Sequence, residues 1–98
     1  MDRYRDFREL AQKEIYGIDY SIEILHRPSH VVIVAPHGGT IEPGTSEIAA
    51  GIASHDLGVY LFEGRKKSGN GRLHLTSTRF DEPGCLSLIR KYSVVLEI

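Results

Sequence analysis

The chain has 98 residues and a mass of 11.0 kDa, with 12 Lys and Arg against 13 Asp and Glu, a net charge of -1 and a pI of about 6.5. That balance excludes a strongly basic nucleic-acid binder or a polybasic membrane-surface protein. With 41% hydrophobic and 26% charged residues it has the composition of one globular domain, and its lone cysteine, Cys85, excludes an intrachain disulfide.

Taken in chain order, the pattern alternates between helices and strands. Phe7, Leu10, Ala11 and Ile15 recur at spacings of three and four, which predicts an opening helix ending at Gly17. The period then drops to two: Ile18, Tyr20, Ile22 and Ile24 alternate with polar residues, as in a half-buried strand near a sheet edge. Val31 to Ala35 is apolar at every position and reads as a strand covered on both faces. A glycine- and proline-rich segment, APHGGTIEPGTSE, leads to a second helix with an apolar stripe of Ile48, Ala49, Ile52 and Ala53, capped by Thr45 or Ser46. Val59 to Glu63 is a third strand, GRKKSGNGR a basic loop, and RLHLTS a short fourth strand with Leu73 and Leu75 on one side. DEPGCLSLIRKY suits a helix with Pro83 in its first turn, and SVVLEI a final buried strand. The order predicts a single α/β domain over residues 1–98, a layered sandwich with a mixed, largely parallel sheet.

The segment after Val31–Ala35 carries the chemistry. Ligands collect at the carboxyl ends of strands in open α/β sheets, and here His37 and Glu42 flank Gly38 and Gly39 at such an end. Imidazole and carboxylate are suitable zinc ligands, although a catalytic zinc usually takes three protein groups.

Three segments, HGGTIEPGTSE (His37–Glu47), YLFEG (Tyr60–Gly64) and LHLTSTRFDEP (Leu73–Pro83), resemble the poly-gamma-glutamate hydrolase family of bacteria and their phages. The resemblance implies a fold similar to zinc carboxypeptidases and a zinc-dependent cleavage of γ-glutamyl amide bonds in a polymer or peptide. It makes His37 and Glu42 the first two zinc ligands. The family's third ligand, a histidine just after a buried strand, is expected past Ile98, with the catalytic carboxylate further on. On this reading the 98 residues are the N-terminal part of a larger hydrolase domain, inactive alone, and the strand left at the broken edge favours self-association.

Each candidate also has a plainer reading. His37 can be a loop histidine bonded to backbone, and Glu42 a carboxylate favoured by a helix N-terminus. Glu47 reads as a first-turn helix residue or a neighbour of the ligands, His74 as a structural histidine facing away from Leu73 and Leu75 or as a site residue beside the ligands or substrate, and Asp81 and Glu82 as helix caps or partners of the ligands. Arg65, Lys66, Lys67 and Arg72 form a flexible basic loop able to draw in a polyanionic substrate, and His26, His30 and His55 are surface residues.

Rival motifs fail on particular residues. GRKKSGN lacks the lysine of a phosphate loop, because Asn70 follows Gly69. The HGG segment is reminiscent of an esterase oxyanion loop, but GTSEI has Ile48 where GxSxG needs glycine. A non-catalytic metal- or ligand-binding remnant is the remaining alternative. The charged opening MDRYRDFRELAQKE is no signal peptide and no segment has the ~18 apolar residues of a membrane span, so no nucleic-acid or membrane partner is expected. A cytoplasmic location is expected, with release by host lysis for a phage-derived protein.

Overall fold

The computed structural model describes residues 2–98. Three helices, α1 (Phe7–Lys13), α2 (Thr45–Ala53) and α3 (Pro83–Ile89), surround four strands, β1 (Tyr20–Leu25), β2 (Val31–Gly39), β3 (Gly58–Gly64) and β4 (Val94–Glu97). The sheet order is β1-β3-β2-β4, with β1 antiparallel to β3 and both other pairings parallel. This is the mixed, largely parallel sheet expected, with β1 at one edge.

Period-two alternation in β2 and β3 divides the core between two faces. Val32, Val34, Tyr60 and Phe62 pack on one side with Leu10 of α1 and Cys85 and Leu88 of α3. Ile33, Ala35, Val59 and Leu61 pack on the other with Ala49 and Ala53 of α2. The continuous apolar run of β2 therefore has cover on both faces because it is an interior strand. No helix among the described residues is long and apolar enough to cross a membrane.

Local chemistry sets the helix starts. Asp6 caps α1 by accepting the Glu9 N–H at 2.9 Å. Pro83 opens α3, where its missing N–H costs nothing, and the buried Glu82 carboxylate accepts from Gly84 and Cys85 N–H at 2.8 and 2.9 Å. The Tyr60 hydroxyl also donates to Glu82, at 2.7 Å, so burial and this carboxylate raise the phenol far above its ordinary range.

Several expectations are corrected by packing. Helix α1 stops at Lys13 rather than Gly17, leaving Ile15 exposed, because Glu14 turns inward to Tyr4 and Lys66. Strand β1 begins at Tyr20, and Ile18 is exposed. The buried stripe of α2 is Ser46, Ala49 and Ala53, while Ile48 and Ile52 are about half exposed. Its N-cap is Gly44, at φ 99°, and the hydroxyls of Thr45 and Ser46 bond the end of β2 instead. RLHLTS is not a strand: Asn70–Leu73 is a 3-10 turn and the next residues run extended without a strand partner. Leu73 and Leu75 are nonetheless both fully buried, which accounts for the period-two signal. Finally, β4 pairs with β2 on one edge only, no described strand covers its other edge, and all four of its residues are exposed.

Candidate metal centre

His37 reaches its position through a break in the sheet. Along β2 and β3, Ala35 pairs with Leu61 but Gly38 pairs with Glu63, so Pro36 and His37 together stand opposite Phe62. Strict alternation would place His37 on the α2 face with Ile33 and Ala35. The extra residue shifts the phase, as a β-bulge does beside functional sites, and turns His37 to the face that carries Leu75. Gly38 then faces α2, where a side chain would collide with the Ser46 hydroxyl and Phe62 carbonyl. Gly39, at φ 64°, lies against the backbone of Gly64 and leaves no room for a Cβ.

The loop after the bulge closes back on itself. Glu42 N–H donates to the His37 carbonyl at 3.0 Å, and the Thr45 hydroxyl donates to the same carbonyl at 2.9 Å. This brings the Glu42 carboxylate over the imidazole, with Oε1 3.3 Å from His37 Nδ1. His37 Nε2 is 2.6 Å from the carbonyl of Leu75. A carbonyl only accepts, so Nε2 carries a proton, and in the neutral ring Nδ1 presents a lone pair beside a carboxylate.

His74 completes the cluster. Its ring stacks on His37 with centroids 4.2 Å apart and planes inclined by 15°. Asp2 grips it from the far end of the chain: Oδ1 is 2.8 Å from His74 Nδ1, and Oδ2 accepts the Thr76 N–H at 2.7 Å. Burial works against the Asp2 charge, but the bonds from Thr76 and His74 outweigh it and lower the carboxyl to about 2. His74 Nε2 is left facing Glu42 Oε1 at 3.8 Å.

This donor set fits a cation. One ligand atom from each of His37, Glu42 and His74 lies within 4.8 Å of the other two. Tetrahedral zinc with ligands at ~2.0–2.1 Å separates them by roughly 3.3 Å, which matches the His37–Glu42 spacing of 3.3 Å. A ring nitrogen and a carboxylate at that distance share a proton or a cation between them. Both imidazoles, moreover, have their second nitrogen tied to a carbonyl or carboxylate, the support that metal-binding histidines receive.

The other candidate residues lie apart from this cluster. Glu47 is exposed in the first turn of α2. Asp81 accepts the Phe7 N–H of α1 at 2.9 Å, while Glu82 caps α3. Lys66 is engaged rather than free: Nζ lies 2.6 Å from Glu14 Oε1 and 3.6 Å from Asp19 Oδ1. Burial works to raise Glu14, yet Lys66 and Tyr4 lower it overall, and Glu14 in turn raises Lys66. Arg65 pairs with Glu63 and Ser21, whereas Lys67 and Arg72 are exposed. His26, His30 and His55 are exposed, and Cys85 is buried. Asp2 and the Leu75 carbonyl were not foreseeable from the sequence, since neither is near its histidine partner in the chain or carries a motif.

Comparison with known proteins agrees with this architecture. The chain is 43% identical over 97 residues to the SPbeta prophage-derived UPF0714 protein YoqZ and 42% identical to the UPF0714 protein YndL, both of Bacillus subtilis (strain 168). Each match covers 99% of this chain but 35% and 38% of the relative. Among solved structures, a bacteriophage poly-gamma-glutamate hydrolase superposes with a TM-score of 0.91 at 34% identity, and YndL in a zinc-free apo form with 0.93 at 42%. Both superpositions cover 99% of this chain and 47% of the other, so the chain spans less than half the length of these relatives. The model of the poly-gamma-glutamate hydrolase family matches residues 4–98, and it is to this family that the chain belongs.

Proposed function

We propose that the chain contributes the first two zinc ligands, His37 Nδ1 and Glu42, of a hydrolase that cleaves γ-glutamyl amide bonds in poly-γ-glutamate or its peptides. The observation that carries this reading is the placement of His37, whose Nε2 is tied to the Leu75 carbonyl at 2.6 Å while Nδ1 stands 3.3 Å from the Glu42 carboxylate. Family membership and a relative solved in a form called zinc-free support zinc as the cation. Zinc bound there supplies a Lewis acid for the scissile carbonyl and lowers the pKa of water toward neutrality. Glu42, as a ligand, is not the general base; its role and that of His37 is to hold the ion at the strand end while the bulge and the Thr45 bond keep them from moving apart. Ile98 N–H donates to the Val34 carbonyl at 2.9 Å, so β4 runs toward the same end of the sheet as His37. This supports a third ligand supplied from just after that strand.

The test is zinc content and chelator sensitivity. The chain should take up about one zinc, lose it on His37→Ala, and the longer relatives should lose hydrolysis of γ-glutamyl polymer with chelator. Full activity of those relatives after complete zinc removal would refute the reading.

A second reading, metal binding without hydrolysis by the 98 residues alone, is favoured by one observation: among the described residues Glu42 is the one carboxylate in the donor cluster, leaving no separate base there. Release of glutamate oligomers by the chain itself would overturn it. The exposed Val94, Val95 and Leu96 on a strand with an uncovered edge also support self-association through β4.

A further inference from the structure

The three-residue cluster suggests three metal ligands, but the rings of its two histidines are stacked. A metal binds an imidazole in the ring plane, along the nitrogen lone pair. Planes inclined by only 15° with centroids 4.2 Å apart do not meet within coordination distance of Nδ1 of His37 and Nε2 of His74. An ion seated between His37 Nδ1 and Glu42 therefore lies beside the plane of His74. In that plane Nε2 faces Glu42 Oε1 at 3.8 Å, beside any group that approaches an ion held by Glu42.

We propose that His74 is a substrate-contacting residue rather than a ligand, and that Asp2 is its positioning residue. Asp2 accepts from His74 Nδ1 and from Thr76 N–H with its two oxygens, and its side chain is only 8% exposed. Both oxygens only accept, so Nδ1 carries a proton and, in the neutral ring, Nε2 faces the site as an acceptor. The group it suits is the amide N–H of an incoming γ-glutamyl unit. The inference rests on the zinc reading above and adds to it a residue from the opposite end of the chain, 72 positions away.

Three measurements on the 98-residue chain test it. In Zn2+ titrations against a competing chelator, His37→Ala should lower affinity by more than about a hundredfold and His74→Ala by less than about tenfold. In ring-nitrogen NMR of the unchanged chain, Zn2+ should produce a ligation shift at His37 Nδ1 and none at His74 Nε2. Asp2→Asn can still accept from Thr76 while its amide donates to His74, so it should move the His74 proton from Nδ1 to Nε2, a change that loss of packing alone would not produce. With zinc bound, a γ-glutamyl oligomer should then bind at least about tenfold more weakly to His74→Ala and to Asp2→Asn, with His26→Ala as an unaffected control. Equal zinc loss in His74→Ala and His37→Ala, or a ligation shift at His74 Nε2, would make His74 a ligand and overturn the proposal. Unaltered oligomer affinity in the zinc-loaded variants would reduce His74 to a structural role. If the unchanged zinc-loaded chain binds no oligomer, the substrate contact fails, whereas absence of zinc uptake refutes the metal reading beneath it.

Discussion

Lys66→Met separates two roles for the basic loop. A lysine that steers polyanions would leave stability unchanged when removed, whereas the structure places Lys66 Nζ 2.6 Å from Glu14, whose side chain is 4% exposed. Glu14 also accepts from the Tyr4 hydroxyl, and Asp19 lies 3.6 Å from the same ammonium. Removing the cation leaves a buried carboxylate beside a second one. For a fully buried pair that costs about 3–5 kcal/mol, and because Lys66 keeps 19% of its side-chain exposure the loss here should be about 2–3 kcal/mol. Urea unfolding at neutral pH measures it directly. The double variant Lys66→Met with Glu14→Gln should recover part of the loss, since the uncompensated charge goes with it. The pH dependence has a definite sign. Glu14 is lowered in the folded state, so its contribution is present above its unfolded pKa and disappears as pH falls through the folded value. The gap between Lys66→Met and the parent should therefore narrow in acid. A loss within about 0.5 kcal/mol at neutral pH, the range of ordinary surface substitutions, would refute the reasoning.

Other parts of the structure make separate demands. Gly39→Ala puts a Cβ at φ 64° against the Gly64 backbone and should cost more than about 2 kcal/mol in thermal unfolding, so a parent-like melting temperature would show that the bulge can relax. Burial, with the charges of Glu82 and Glu97, pushes the Cys85 thiol up to about 12. A thiol reagent at mildly alkaline pH should label it only on unfolding, and rapid labelling of the folded chain would contradict its packing. Asp2, lowered to about 2 from 3.8, should contribute about 2 kcal/mol that is present above its unfolded pKa and lost as pH falls through the window between those values. Asp2→Asn should flatten that part of the acid unfolding curve, and an unchanged curve would remove Asp2 from the account.

Much of the layout was legible from local pattern. The unbroken apolar run of β2 marked an interior strand, its carboxyl end marked where His37 and Glu42 meet, and Pro83 marked the start of α3, because period, composition and capping chemistry act over a few residues. The same locality misled where packing took over. Of the expected α2 stripe only Ala49 and Ala53 are buried, their small side chains letting the helix lie close on the sheet, while Ile48 and Ile52 turn outward. Leu73 and Leu75 alternated like a strand while their backbone served other ends, the Leu75 carbonyl taking His37 Nε2 and the neighbouring Thr76 N–H going to Asp2.

By itself the sequence determined which residue types could do metal chemistry and at which strand end they would stand. Only the tertiary structure decided how they are held. The bulge at Pro36 and His37 depends on pairing with β3, and the tautomers of His37 and His74 depend on partners 38 and 72 residues away. A proton's position on an imidazole is set by the acceptor that faces it, and no local pattern records which acceptor that will be.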